Sequence, residues 1–252
     1  MKLSVLIITF NEEKHIEQCI RSVKKLSDEI IVVDSFSTDK TQEICKRLEV
    51  KLYLKEYEGQ IEQKNFALSK AQYDHVLALD ADEMLTDELS AEILSEKAQG
   101  FPSDGYSFRR KNNYAGHWIR YGGWGTQWKL RLWQKDKAIW AGSNPHDKVV
   151  LRNPHNHKML SGYFLHFAFK SIAEHRERIE TYANLGAQSL FERGEKTSPI
   201  LIILSPAFKF LKDYFFRLGF LDGRMGWEIA LLSAKSRYLK YRTLQKLIKD
   251  HK

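Results

Sequence analysis

The sequence predicts an α/β protein with a mixed, mainly parallel sheet and a C-terminal helical extension. Two observations support this fold class. Within the first 85 residues, four apolar segments of strand length alternate with segments that repeat apolar residues at helical spacing. After residue 195 the pattern changes to helical segments that are rich in basic and aromatic residues. A chain of 252 residues is long enough for one large domain with such an appendage.

The first of these regions defines the predicted sheet. Strands that alternate with helices of about ten to fifteen residues form βαβ units, which place the strands parallel in one sheet. The expected strands are 3–8, 29–34, 50–54 and 75–80, and the expected helices are 16–26, 40–48, 60–71 and, with many acidic residues, 84–97.

Residues 105–152 have a different character, because the interval is rich in glycine and contains five of the six tryptophans. These tryptophans either stack on a ligand with apolar ring faces or form the hydrophobic floor of a long loop. A helix is expected over 171–193, since Ser171 and Glu174 form a capping box at its start. Short strands are expected at 106–108, 149–151 and 163–169.

The segment from His75 to Glu83 is the most informative in the chain. Its apolar residues suit a strand that is buried on both faces, and it ends in Asp80, Asp82 and Glu83. In open α/β sheets, ligands bind beyond the carboxyl ends of the strands, and residues two apart on an extended strand point the same way. Paired carboxylates suit Mg²⁺ or Mn²⁺, and these ions suit a diphosphate. A solvated acidic turn before a helix is the alternative.

The net positive charge is concentrated at the C-terminus. Residues 1–195 carry 28 basic and 28 acidic side chains, whereas residues 196–252 carry 12 and 4, which accounts for the net charge of +8. We therefore predict a main domain over 1–195 and a basic amphipathic helical extension over 196–252 that faces an anionic membrane surface. A contribution to solubility is the alternative explanation of the basic tail.

Cysteine usage and hydropathy predict the cellular compartment. The sequence contains only two cysteines, Cys19 and Cys45, and no apolar run approaches the ~18–20 residues that span a membrane. The chain also begins directly with a strand instead of a signal peptide. These features predict a cytoplasmic protein that is peripheral on the inner face of the cytoplasmic membrane. Nucleic acid is not an expected partner.

Three loops that follow predicted strands carry a family resemblance. They are Thr9-Phe10-Asn11-Glu12, Asp34-Ser35-Phe36-Ser37-Thr38-Asp39-Lys40-Thr41 and Asp80-Ala81-Asp82-Glu83. In this order they resemble the nucleotide loop, the D-x-x-S-x-D-x-T turn and the D-x-D metal motif of the family-two inverting glycosyltransferases. The resemblance covers residues 1–85 and implies their A-type nucleotide-sugar fold, a Rossmann-like mixed sheet.

Later segments narrow the resemblance. Three of them are similar to a subgroup that acts on bacterial lipopolysaccharide core, typified by a β-1,4-glucosyltransferase that modifies inner-core heptose. Where that subgroup usually has His-Glu, this chain has His146-Asp147. The segments are Asn144-Pro145-His146-Asp147, Leu165-His166-Phe167 and Gly219-Phe220-Leu221-Asp222-Gly223-Arg224.

The resemblance implies a role for each candidate site residue. Asp82 and His166 would bind the metal ion, Mg²⁺ or Mn²⁺. Asp147 would be the general base, oriented by His146. The nucleotide-sugar would contact Thr9, Phe10, Glu12, Asp34, Lys64 and Asp80.

Ordinary structural roles are the alternatives for these residues. Asp34 suits a turn, Asp147 a loop salt bridge, and Lys64 a solvated helix position. Phe10 and His166 suit core packing.

The predicted function is inverting transfer of a hexose, expected to be glucose from UDP-glucose, to a lipid-linked saccharide. Lipopolysaccharide inner core is the favoured acceptor, and another envelope glycan, such as capsule or a polyprenyl-linked unit, is the alternative. A sugar-phosphate nucleotidyltransferase is disfavoured, because no glycine-rich basic loop follows the first strand. The carboxylates Asp80, Asp82 and Asp147 disfavour a non-catalytic nucleotide-binding or membrane-binding protein.

Overall fold

The chain forms two compact units in a computed structural model that describes residues 1–143 and 146–251. This division does not coincide with the expected boundary at residue 195. The predicted extension over 196–252 falls inside the second unit, and its membrane role stays a prediction. The first unit comprises Met1–Arg110 and Trp128–His166, and the second comprises Lys111–Gln127 and Phe167–Lys252.

The structure contains eleven strands among its described residues. They are β1 (Leu3–Thr9), β2 (Glu29–Asp34), β3 (Lys51–Leu54), β4 (His75–Asp80), β5 (Glu83–Leu85), β6 (Gly105–Tyr114), β7 (His117–Ile119), β8 (Gln127–Gln134), β9 (Ala138–Ser143), β10 (His146–Leu151) and β11 (His157–Phe169). Helices separate β1 to β4, whereas no α-helix lies between β6 and β11.

The first unit is built on a mixed sheet in the order β3-β2-β1-β4-β8-β6-β11-β5. Strand β1 is parallel to β2 and β4, with Thr9 opposite Asp34 and Ile8 opposite Asp80. This register brings the carboxyl ends of the three strands to one edge of the sheet. Strand β8 is antiparallel to β4, and β5 is antiparallel to β11. Strands β9 and β10 form a separate antiparallel pair.

Four helices complete the first unit: α1 (Ile16–Val23), α2 (Thr41–Arg47), α3 (Gln60–Lys70) and α4 (Asp87–Ala98). Alternate residues of β1 enter two different core clusters, one with Val5 and Ile7 and the other with Leu6. The sheet is therefore covered on both faces, which explains why its central strands are continuously apolar.

The predicted fold class is confirmed, with corrections in detail. The expected helix over 84–97 is wrong at its start, because Met84 and Leu85 pair with β11 in strand β5. Helix α4 begins only after Thr86, whose side chain caps it by accepting a hydrogen bond from the Leu89 amide. Strands β7, β8 and β9 were not predicted.

The second unit is mainly helical. Helix α5 begins after Ser171, whose hydroxyl accepts from the Glu174 amide at 3.1 Å and confirms the predicted cap. Among the described residues, no helix is both long enough and apolar enough to cross a membrane. The helical elements are α5 (Ile172–Glu192), α6 (Pro199–Leu211), a π-helical segment (Lys212–Phe216), a 3₁₀ turn (Gly219–Asp222) and α7 (Gly223–Asp250).

Candidate active site

The carboxylate of Asp34 is buried at the end of β2. It accepts hydrogen bonds from the amide and hydroxyl of Ser37 and from the side chain of Gln42, so both of its oxygens are engaged. This is the turn role that the sequence left open for Asp34. The Oδ2 atom accepts only one of these bonds and keeps a free lone pair, and the nucleotide-contact role of Asp34 stays a prediction.

The rest of the D-x-x-S-x-D-x-T turn ties the loop after β2 to the loop after β1. The Ser37 hydroxyl accepts from the Asn11 amide at 2.8 Å, and the Thr41 hydroxyl accepts from the Glu12 amide at 2.9 Å. The Asp39 carboxylate accepts from the Glu13 amide at 3.0 Å. The side chains of the D-x-x-S-x-D-x-T turn therefore hold the two loops together, and the loops form one platform at the edge of the sheet.

This platform presents aromatic surface beside a polar group. Phe10 is 55% exposed, so the core-packing alternative for it is wrong. Phe36, which sequence reasoning missed, is 49% exposed and has a φ of 63°. A bulky residue in the left-handed region is uncommon and marks a position for which function is a reasonable hypothesis. Between these loops and the sheet, the Thr9 hydroxyl is buried with no hydrogen-bond partner among the described residues.

Lys64 joins two of the predicted carboxylates. It lies on α3 with only 5% of its side chain exposed. Its Nζ is 2.8 Å from Asp147 Oδ2 and 3.1 Å from Asp80 Oδ1, and it lies 4.6 Å from the centre of the Trp140 ring. The solvated position that was the alternative for Lys64 is therefore wrong. For Asp147, the salt-bridge alternative is observed, and its catalytic role stays a prediction.

Arg131 is a site residue that the sequence did not reveal. It is buried on β8, and its guanidinium lies 2.8 Å from Glu83 Oε1 and 3.3 Å from Asp80 Oδ2. Burial opposes ionisation of Asp80, but the charges of Lys64 and Arg131 outweigh it and lower the pKa of that carboxyl. Glu83 is buried more deeply and accepts from the Asp80 amide at 3.0 Å.

Asp82 and His166, the predicted metal ligands, lie side by side. Asp82 Oδ2 is 3.3 Å from His166 Nε2, and both side chains are partly exposed. His166 is brought there by the pairing of β11 with β5, in which it stands opposite Glu83. Burial disfavours the charged imidazole, yet the charge of Asp82 and its hydrogen bond raise the pKa of His166 overall. His166 is therefore not a residue of an apolar core.

Two more cations lie near these acids. Lys129 and Arg110 lie on β8 and β6, which are neighbours in the sheet. Burial lowers the pKa of Lys129, and repulsion from Arg110 and Arg131 lowers it further. Partly buried cations that repel one another favour an anionic ligand, because such a ligand would relieve the repulsion. The arrangement can therefore hold phosphate groups next to a carboxylate.

Two further parts of the prediction concern the segment before Asp147 and the tryptophans. Asn144 and Pro145 fall outside the described residues, as does the side chain of His146. Of the tryptophans, Trp133 and Trp140 are buried and contact each other edge to face, with ring centres 5.7 Å apart. For these two the hydrophobic-floor alternative is the correct one.

The fold is that of the A-type nucleotide-sugar glycosyltransferases. The chain belongs to glycosyl transferase family 2, whose family model matches residues 4–162. An uncharacterized glycosyltransferase of Rickettsia typhi is 33% identical over 257 residues, covering 98% of this chain and 87% of that protein. The predicted family is thus confirmed.

Two further similarities extend along nearly the whole chain. The lipopolysaccharide core biosynthesis glycosyltransferase LpsC of Rhizobium meliloti is 26% identical over 254 residues, covering 96% of this chain and 93% of LpsC. The crystal structure of S. aureus TarS 1-349 is 17% identical and covers 100% of this chain and 92% of that chain, with a TM-score of 0.47.

Proposed function

We propose that this glycosyltransferase transfers a hexose from a UDP-sugar, with inversion, to a lipid-linked saccharide. The expected donor is UDP-glucose, and the favoured acceptor is lipopolysaccharide inner core. The single observation that carries the proposal is the pairing of Lys64 with both Asp80 and Asp147 at the carboxyl edge of the sheet. Through this pairing the Lys64 ammonium, which suits a phosphate, lies beside the Asp147 carboxylate, which suits proton transfer.

The donor would bind across the platform formed by the loops after β1 and β2. The exposed face of Phe10 suits stacking on the uracil ring. The unpartnered Thr9 hydroxyl suits a polar group of the nucleotide. Lys64 and the cations of β6 and β8 would attract the diphosphate, and Asp80 would contact the ribose. Glu12 and Asp34 keep the nucleotide-contact role that the resemblance implies.

The residues present fit a divalent metal ion. Among the described residues, no three His, Cys, Asp or Glu side chains are grouped as a metal site, so Asp82 and His166 would supply the protein ligands as a pair. Mg²⁺ commonly takes only one or two carboxylates and completes its shell with substrate phosphates and water. When bound, Mg²⁺ or Mn²⁺ would neutralise the charge that develops on the departing nucleoside diphosphate.

Asp147 would act as the general base. It would take the proton of the acceptor hydroxyl while that oxygen bonds to the anomeric carbon and the bond to the diphosphate breaks. The ammonium group of Lys64 that pairs with Asp147 is also the one that would meet the donor phosphates. A bound diphosphate would compete for this ammonium and so free Asp147 Oδ2 to accept the proton.

The acceptor is proposed from similarity and from the surface of the second unit. LpsC, a relative along nearly the full chain, is named for lipopolysaccharide core biosynthesis. A lipid-linked acceptor stays at the membrane, so the enzyme must reach it there. The basic segment 196–252 would hold the protein as a peripheral component on the cytoplasmic side.

A two-stage assay tests the proposal. Thermal-shift measurements with UDP-glucose, UDP-galactose, UDP-N-acetylglucosamine and GDP-mannose, with and without Mn²⁺, identify the donor, because a ligand of the native state raises the apparent stability. Release of UDP is then measured with lipopolysaccharide core, capsule or polyprenyl-linked saccharide. The proposal expects a UDP-sugar and the lipopolysaccharide core to give the strongest responses. Donor binding without transfer to any of the three would contradict it.

A further inference from the structure

Helix α6 and the π-helical segment carry their apolar side chains on the outside. Ile200, Ile203 and Phe216 are 69%, 68% and 77% exposed, whereas Ile202 and Pro206 face inward. The exposed positions recur every three or four residues and therefore lie on one side of the helical rod. We call this side the outer face; it consists of Ile200, Leu201, Ile203, Leu204, Phe208, Leu211, Phe215 and Phe216.

Aromatic contacts extend the outer face to the neighbouring elements. The Trp227 ring on α7 lies 5.2 Å from that of Phe210 and 5.3 Å from that of Tyr214. Tyr214 also contacts Phe220 of the 3₁₀ turn, with ring centres 6.2 Å apart. Trp227 and Phe220 are themselves 43% exposed, so the exposed apolar surface continues past the helix. Soluble proteins rarely expose a contiguous apolar area of this extent without a partner.

The acidic side chains near the outer face form ion pairs or hydrogen bonds within the second unit. Asp213 is buried, 2.6 Å from Lys209 Nζ, and Asp222 accepts from the amide of Tyr121 at 2.8 Å. Glu228 pairs with Arg176 at 3.0 Å. Arg217 also pairs with Asp213, at 3.4 Å, so the exposed cations Lys212 and Arg224 dominate the surface charge around the outer face.

We propose that the outer face inserts into the interfacial layer of an anionic phospholipid bilayer, with α6 parallel to the membrane plane. This deepens the proposed function and rests on it for the location of the acceptor. An amphipathic helix of this kind buries its apolar face about 5–10 Å into the headgroup region, while flanking cations meet anionic lipid. The apolar side chains then hold the protein, and the basic residues select the lipid.

The charge distribution favours a bilayer over a second copy of the chain. In a symmetric dimer the same patch faces itself, so the cationic side chains around one outer face would approach those of the other. Anionic headgroups would instead meet these cations with the opposite charge. Insertion and purely electrostatic attachment differ in their salt dependence. Burial of apolar surface persists at high salt, whereas attraction between surface charges is screened.

Vesicle co-sedimentation of the full chain tests the proposal. The apolar variant carries Phe208→Ser and Phe216→Ser, and the matched control carries Ile139→Ser and Met159→Ser, which change side chains of 52% and 53% exposure in the first unit. On vesicles of phosphatidylglycerol, the apolar variant should bind about tenfold more weakly, because burial of two phenylalanines is lost. The control should bind like the wild type. Raising the salt to about 1 M should leave part of the wild-type binding.

A second pair of measurements locates the contact and its charge preference. Brominated lipids should quench the fluorescence of the wild type more than that of Trp227→Phe. Lys212→Gln with Arg224→Gln should reduce the preference for phosphatidylglycerol over phosphatidylcholine while leaving salt-resistant binding in place.

Three results would overturn the proposal: equal binding by the apolar variant and the control, complete loss of wild-type binding at high salt, or a wild-type dimer that the apolar variant dissociates in sedimentation analysis. UDP-glucose binding is measured on the same proteins. Failure of insertion with intact donor binding can then be told apart from failure of the proposed function.

Discussion

The acidic edge of the first unit and the outer face of the second unit depart from the usual distribution of side chains in opposite ways. At the edge, Lys64, Arg131 and Glu83 are charged and buried. On the outer face, Ile200 and Phe216 are apolar and exposed. Charged side chains are rarely buried unless they are paired, and large apolar patches are rarely exposed unless they are covered by a partner.

This difference in burial and charge indicates which kind of ligand each region suits. The edge has fixed cations and carboxylates at defined distances, which suits a small charged molecule that needs orientation. The outer face has no such fixed polar groups and suits a surface that is itself apolar and deformable. The proposed transfer from a water-soluble donor to a membrane-held acceptor would use both kinds of region.

The largest expected effect concerns Asp147, the proposed general base. Asp147→Asn should reduce turnover by about a hundredfold or more, since general-base catalysis contributes 10²–10⁴, while donor affinity stays within about twofold. Steady-state transfer rates and donor titration measure the two quantities. The matched control is Asp136→Asn, which alters a carboxylate of 66% exposure in the same unit. Near-normal turnover in Asp147→Asn would assign the base to another residue.

A smaller effect is expected from the cation at the edge. Lys64→Gln should weaken donor binding by about tenfold to a hundredfold, because charge-assisted hydrogen bonds to the diphosphate are lost. Calorimetric titration with UDP measures this. Lys46→Gln on α2, an exposed position, should leave the affinity unchanged. Equal affinities in both variants would remove Lys64 from the donor site.

The core of the second unit should respond to pH through His175. Burial lowers the pKa of His175 to about 4, and its Nδ1 lies 2.9 Å from the Tyr114 hydroxyl oxygen. The unfolded chain has a higher pKa of about 6.5 and binds the proton first, so stability falls as pH drops through the window from about 6.5 to 4. At pH 5 this group should account for about 2 kcal/mol of lost unfolding free energy.

Urea unfolding at pH 7 and pH 5 tests the role of His175. His175→Gln keeps a polar partner for Tyr114 but cannot take up the proton. Its loss of stability between the two pH values should be about 2 kcal/mol smaller than that of the wild type. Parallel losses would mean that His175 does not titrate in this way.

The smallest effect is expected on the outer face. Phe216→Ser should change the unfolding free energy by no more than about 0.5 kcal/mol, because exposed side chains without special contacts contribute little. Urea unfolding measures this in the absence of lipid. A loss of several kcal/mol would show that the ring is packed in the native protein, which would contradict the contrast between the two regions.

Sequence patterns predicted those parts of the fold whose signal is local. The strands β1, β2 and β4 are continuous apolar runs that end in polar residues, so both the strands and the edge could be predicted. Strand β5 has only three residues and pairs with β11 far along the chain, so Met84 and Leu85 were attributed to the start of an acidic helix. The pairing of β5 is a contact between distant parts of the chain, which the local sequence pattern cannot predict.

The missed site residue has the same explanation. Arg131 stands between two leucines on β8, which is the alternation expected of a strand with one solvated face. It is instead buried against Glu83, 48 positions away. The clue was the Glu83 carboxylate beside a buried strand, since a buried ionised acid is commonly paired with a cation. The turn role of Asp34 was among the alternatives, but only its burial revealed how fully its oxygens are used.

Calorimetric titration of UDP in the presence and absence of Mn²⁺, on the wild type and on Asp82→Ala, tests whether the edge of the sheet is a metal-assisted donor site. Mn²⁺ should strengthen UDP binding to the wild type and have no such effect on Asp82→Ala, whose circular dichroism and unfolding should remain native. An Mn²⁺ effect of the same size in both proteins would show that Asp82 does not bind the metal ion that strengthens UDP binding.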